Sequence, residues 1–112
     1  MSCFVCRTLI WNSWGDNSYG VAYVTGSSPT GPFSGPPKQI LSGNDDVGTS
    51  TGHNSVFTPD GEDYYIVYHR RYLNDTARDH RIVCVDRMEF DTEGNILPVD
   101  ITTEGVEGRS LL

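Results

Sequence analysis

Basic charge, cysteine and long apolar runs are all scarce in this 112-residue sequence, and each scarcity removes a class of function. Eight Lys and Arg stand against fifteen Asp and Glu, a formal net charge of -7. Nucleic-acid binding needs clustered cations against phosphate, and only Arg70 and Arg71 are adjacent. Nucleic acid is therefore not an expected partner, and a neutral or cationic ligand fits better. No apolar run approaches the roughly 20 residues of a membrane-crossing helix, so no membrane is expected either. The start, MSCFVCRTLIW, is short and lacks the small-residue cleavage site of a secretory leader. On that ground the chain as given is expected to stay cytoplasmic, whether or not a parent enzyme is secreted. The three cysteines are an odd count. Cys3-x-x-Cys6 has the spacing of a redox pair or half a zinc site, but Cys84 stands alone, so free thiols are expected.

Sustained 3.6-residue periodicity is absent as well, which argues against helices. What is present reads as strand. In SYGVAYVTG (18–26), Tyr19, Val21 and Tyr23 alternate with Gly20, Ala22 and Val24, so large residues line one face and small ones the other. DYYIVYHRRY (63–72) is apolar on both faces until its end, the pattern of a central strand. HRIVCVDRMEF (80–90) sets Ile82, Cys84, Met88 and Phe90 on one face against Val83, Val85 and charged residues, and its arginines and Asp86 need a wet surface or partners. PDGED and TEGN punctuate these runs as tight turns. SSPTGPFSGPPK, with four prolines, is expected to be an irregular connection. Six or seven antiparallel strands with a turn about every ten residues suggest an all-β sandwich, barrel or set of propeller blades.

The residue with the most chemical promise is His53, between Gly52 and Asn54 and just ahead of Val56 and Phe57. Glycine lets a backbone approach something closely. Local pattern alone favours a satisfied core histidine, and zinc would need further His or Cys ligands that the neighbourhood lacks. Paired carboxylates are hard to place. Asp45 and Asp46 sit in a polar loop, and Asp86 and Glu89 flank Arg87 and read as ion-paired. Arg70 and Arg71 read as ion-paired surface residues. There is no Gly-x-Ser-x-Gly elbow and no phosphate-cradling glycine loop.

Taken in order, NSWGDNSYGVAYVTGSSPTGPF, GHNSVFTPDGEDYYIVYHRR and DRMEFDTEGNILPV resemble the C-terminal part of glycoside hydrolase family 43. The resemblance implies a five-bladed β-propeller of antiparallel four-stranded sheets, with about two of the five blades in residues 12–112 and a poorly matching start in 1–11. It implies hydrolysis, with inversion, of arabinose- or xylose-containing plant polysaccharides, as in α-L-arabinofuranosidases, β-xylosidases and arabinanases. It places His53 near the propeller axis as a substrate-binding residue and as a ligand of a central Ca²⁺. Arg81 is implied to reach the sugar, with Arg78 and Arg71 as alternatives. The family's Asp, Asp and Glu belong to earlier blades; inversion needs two carboxyls roughly 6.5–9.5 Å apart, and none here matches them.

Two functions are therefore expected from different classes: a piece of a glycosidase whose plant cell-wall oligosaccharide is held by His53 and Arg81, or a noncatalytic carbohydrate-binding or structural module that self-assembles. Exposed blade faces would make the chain a homo-oligomer, and an assembly could bring Asp45, Asp46, Asp86 or Glu89 into a new site. Tyr19, Tyr64, Tyr65, Tyr68, Trp11 and Trp14 are aromatic enough to stack on sugar, although aromatics at strand spacing are mostly core.

Overall fold

The computed structural model describes the backbone of residues 5–11 and, in full, residues 19–77 and 79–110. Cys3, Trp14 and Arg78 lie outside the described residues, as do the side chains of Cys6 and Trp11. Six strands run through this span: β1 Val5–Trp11, β2 Gly20–Gly26, β3 Phe33–Leu41, β4 Gly48–Phe57, β5 Tyr64–Tyr72 and β6 Ile82–Met88. They form two antiparallel sheets, β1-β2-β3 and β4-β5-β6, and no helix occurs among the described residues. The two-sided strands take the central positions. β2 and β5 are each paired on both edges, which is what their apolar residues on both faces require.

The expected irregular connection is a strand instead. β3 contains Pro36 and Pro37, and it tolerates them because it is an edge strand with a bulge there. Thr25 pairs with Ser34 and Tyr23 with Lys38, so residues 35–37 loop out opposite Val24 alone. Each sheet has three strands among the described residues, against the four of a complete blade. Beyond β6 the chain folds back in a small hairpin, Phe90 bridging Ile96, rather than adding a neighbour. The tail then crosses to the first sheet, where the Val99 amide donates to the Ile40 carbonyl (2.7 Å) and the Ile96 amide donates to the Tyr23 hydroxyl (3.1 Å).

One core joins all of these parts. Val21, Tyr23, Ile40 and Leu41 come from the first sheet, Ile66, Tyr68 and Met88 from the second, and Ile101 from the tail. Asp86 is buried in this junction, on the same face of β6 as Met88, with 2% of its surface exposed. It is not paired with Arg87, which instead binds Asp63. Its carboxylate accepts from the Tyr68 hydroxyl (2.5 Å), the Thr102 hydroxyl (2.6 Å) and the Thr102 amide (3.0 Å). Burial, and then the hydrogen bond to Asp86, push the Tyr68 phenol far above its ordinary value. Arg70 and Arg71 are buried too, contrary to their reading as surface ion pairs. The Arg70 guanidinium donates to the Val47 carbonyl (3.1 Å) and lies over the Tyr72 ring, and Arg71 donates to the Ala77 carbonyl (3.4 Å). Hydrogen bonds from each guanidinium to a backbone carbonyl offset the burial of this basic pair.

Removing the Asp86 carboxylate would strand three donors. Asp86→Ala is expected to lower the unfolding free energy by about 3 kcal/mol, and Tyr68→Phe by about 1 to 2 kcal/mol. Urea denaturation measures both, and a loss near zero for Asp86→Ala would contradict the buried network.

Candidate functional site

β4 carries the site because it is irregular. Thr49 pairs with Arg71, Gly52 with His69 and Ser55 with Val67, so Ser50 and Thr51 oppose Arg70 alone while His53 and Asn54 oppose Tyr68 alone. These are two successive bulges that bracket Gly52. Each begins with a non-glycine residue in the left-handed region, Ser50 at φ 58° and His53 at φ 48°. Such backbone is unfavourable for a residue with a Cβ and persists only where surrounding structure imposes it; bulges also re-aim side chains beside functional sites. The bulge turns His53 out to solvent, so it is exposed and is not a core histidine.

What imposes the geometry is Tyr19. Its ring lies directly on Gly52, where an added Cβ would fall 2.7 Å from both Cδ1 and Cζ of the phenol. The close approach that the glycine permits is thus to a side chain of the neighbouring sheet. The Thr51 hydroxyl donates to the Tyr19 carbonyl (3.3 Å). The Tyr19 ring also stacks on His69, centroids 5.7 Å apart and planes 15° from parallel, and His69 in turn meets His53 at 6.5 Å and 34°.

Tyr19, His53, His69 and Arg81 line one open concavity of about 840 Å³, together with Asn54, Ser55, Val67, Tyr68 and Val83. The two residues singled out for sugar binding, His53 on β4 and Arg81 just before β6, are therefore brought together. Burial, followed by the positive charge of Arg81 and the proximity of His53, lowers the pKa of His69, so its imidazole stays neutral near pH 7. Burial raises the Tyr19 phenol. The wall offers neutral donors and acceptors with one guanidinium, a set suited to hydroxyl groups of an uncharged ligand. His69 as a site residue escaped sequence reasoning, and Tyr19 was singled out only as one of several aromatics able to stack on sugar, not as the neighbour of Gly52. The one available signal for them was Gly52, which demanded a close neighbour without saying which.

Among the described residues no Asp or Glu lines this concavity. Asp46 lines a different hollow, and Asp86 and Glu89 line another beside the tail. Among the described residues no three His, Cys, Asp or Glu side chains converge on a possible metal position. A calcium ion takes six to eight oxygen ligands, so the donor set makes no cage and leaves His53 only as one ligand of an otherwise hydrated ion.

Comparison with known proteins agrees with this architecture. The sequence model of Glycosyl hydrolases family 43 matches residues 11–96. A β-D-galactofuranosidase of Aspergillus niger, xynD, is 79% identical over 98 residues, which is 88% of this chain and 29% of that protein. The chain thus spans under a third of the curated relative. Among solved structures, an α-L-arabinanase of Cellvibrio cellulosa complexed with arabinohexaose superposes with a TM-score of 0.71 at 24% identity, over 87% of this chain and 33% of its own. An endo-1,4-β-xylanase of Bacteroides thetaiotaomicron superposes with a TM-score of 0.66 at 17% identity, over 88% and 34%. The two sheets are partial blades of a propeller like that of the arabinanase.

The lowered pKa of His69 has a definite sign in stability. As pH falls below the unfolded histidine value of about 6.5, the unfolded chain takes up the proton first, so stability is expected to decline between pH 7 and pH 5. The His69 ring should titrate in NMR with a midpoint below that of an exposed histidine, and His69→Phe should flatten the pH dependence. A midpoint at or above the exposed value would contradict the packing. Separately, Gly52→Ala is expected to displace Tyr19 and cost about 2 kcal/mol or more, the scale of a clash in a packed site, read as a lower thermal midpoint.

Proposed function

The chain belongs to glycosyl hydrolases family 43, and from that membership we propose that it supplies one sugar-binding wall of a glycosidase pocket. The carrying observation is that His53 and Arg81, on different elements, line one concavity with Tyr19 and His69 and with no carboxylate among the described residues. In this reading Arg81 donates to ring or hydroxyl oxygens of the sugar, and His53 and Asn54 supply further polar contacts. The general acid and base of hydrolysis stand elsewhere in the whole enzyme, because inversion requires two carboxyls flanking the bond. Galactofuranose is the first sugar to test, given the 79% identical galactofuranosidase. Arabinofuranosyl and xylosyl units of plant cell-wall polysaccharides follow. Ca²⁺, where present, would touch this chain through His53, with water completing its shell.

A second reading, a noncatalytic carbohydrate-binding module that self-assembles, draws support from exposed apolar residues on β4 and β6. Val56 and Phe57 are open to solvent and Val83 is 76% exposed on an edge strand. Sedimentation velocity at micromolar concentration separates the two: an oligomer favours this reading and a folded monomer excludes it.

The 112-residue chain is expected to bind a galactofuranosyl oligosaccharide, measured by calorimetry, without hydrolysing p-nitrophenyl galactofuranoside, α-L-arabinofuranoside or β-xyloside. Arg81→Ala should weaken binding about 10- to 100-fold, the scale of one charge-assisted hydrogen bond. Turnover by the chain alone, or binding unaffected by Arg81→Ala, would overturn the assignment.

A further inference from the structure

The turn after β5 contains Asn74-Asp75-Thr76, the one Asn-x-Ser/Thr tripeptide in the 112-residue sequence. A central residue other than proline and a hydroxyl two positions on are the chemical requirements for N-linked glycan transfer. We propose that Asn74 is an N-glycosylation acceptor.

The fold separates the two acceptor side chains from every structural duty in the loop. The Asp75 amide donates to the Tyr72 carbonyl (3.1 Å), closing a turn with Leu73 and Asn74 at its centre, and Asn74 takes φ 65° there. Asn is the residue after glycine that best tolerates this backbone, so its place at the turn tip has a conformational cause as well. The carboxylate of Asp75 supplies further bonds in the loop. One of its carboxylate oxygens accepts from the Ala77 amide (2.9 Å) and the other meets His80 Nδ1 at 2.9 Å. Asn74 and Thr76 are both exposed, and neither side chain has a bonding partner among the described residues. Neither lines the concavity of His53 and Arg81.

A glycan on Asn74 therefore displaces no hydrogen bond, fills no packed space and leaves the pocket open. Its bulk and hydration extend into solvent from the tip of the turn. The donor is an oligosaccharide carried on a lipid pyrophosphate. The Asn74 carboxamide nitrogen forms the new bond to the anomeric carbon of the first sugar, the lipid pyrophosphate leaves with the bonding electron pair, and the nitrogen gives up one proton. The 79% identical relative comes from a fungus, a eukaryotic host. The inference is independent of the sugar-binding reading, since the turn and the pocket share no residue.

The test is expression of the full 112-residue chain behind a cleavable secretory leader in yeast, with both the medium and the microsomal fraction analysed. The expected result is an endoglycosidase-sensitive mass increase carried by the tryptic peptide YLNDTAR, lost in Asn74→Gln and in Thr76→Ala and retained in Thr76→Ser. Thr76→Ala leaves the left-handed asparagine in place, so it reads out acceptor chemistry without disturbing the turn. Glycosylated and enzymatically deglycosylated protein should show the same thermal midpoint. An unmodified YLNDTAR peptide in both fractions would overturn the proposal, whereas a midpoint lowered by the glycan would support Asn74 as the acceptor but contradict its lack of structural duty in the turn.

Discussion

The seating of the Tyr19 ring on the bare backbone of Gly52 is the constraint on which the rest of this structure turns. It joins a residue entering the first sheet to a strand of the second, and it does so at the level of the pocket. Because the ring occupies the space of a side chain at position 52, the strand bulges on both sides of that residue. The second bulge throws His53 into a left-handed conformation and out toward solvent. His69, the register partner of Gly52, stacks on the same ring. One aromatic contact thereby sets the inter-sheet geometry, the wall of the concavity and the orientation of its most chemically promising residue.

Beneath that seam a polar knot fixes the opposite side of β5. Asp86 is held by Tyr68 and by Thr102 of the tail, and the tail also pairs with the first sheet through Val99 and Ile40. The sheets are thus bound twice, once by the tyrosine at the pocket and once by a tail that crosses from one to the other. A fully satisfied buried carboxylate rigidifies such a crossing, whereas a partly satisfied one would loosen it.

Much of the fold was legible because alternation is a local signal. A two-sided apolar pattern identified β5 as a central strand, and the glycines of PDGED and TEGN marked turns that the structure contains, with Gly61 and Gly94 at positive φ. β3 was hidden because proline is read as a breaker, while an edge strand with a bulge can hold it. Asp86, Arg70 and Arg71 were misplaced for a different reason: the partners that accompany their burial, Thr102, Val47 and Ala77, lie 6 to 23 residues away, beyond what strand alternation reports. In the site, His53 and Arg81 rested on family resemblance, and the geometry puts them along one concavity. His69, and the seating of Tyr19 on Gly52, remained invisible, since a stack between sheets leaves no trace in either strand except the glycine that makes room for it.

The most direct measurement of this account is the proton NMR spectrum of Gly52. A tyrosine ring seated on the glycine should shift its Hα resonances strongly upfield and give nuclear Overhauser contacts to the Tyr19 ring protons. Gly52 Hα resonances at ordinary strand positions, without contacts to Tyr19, would contradict the seam and with it the origin assigned to the exposed, left-handed His53.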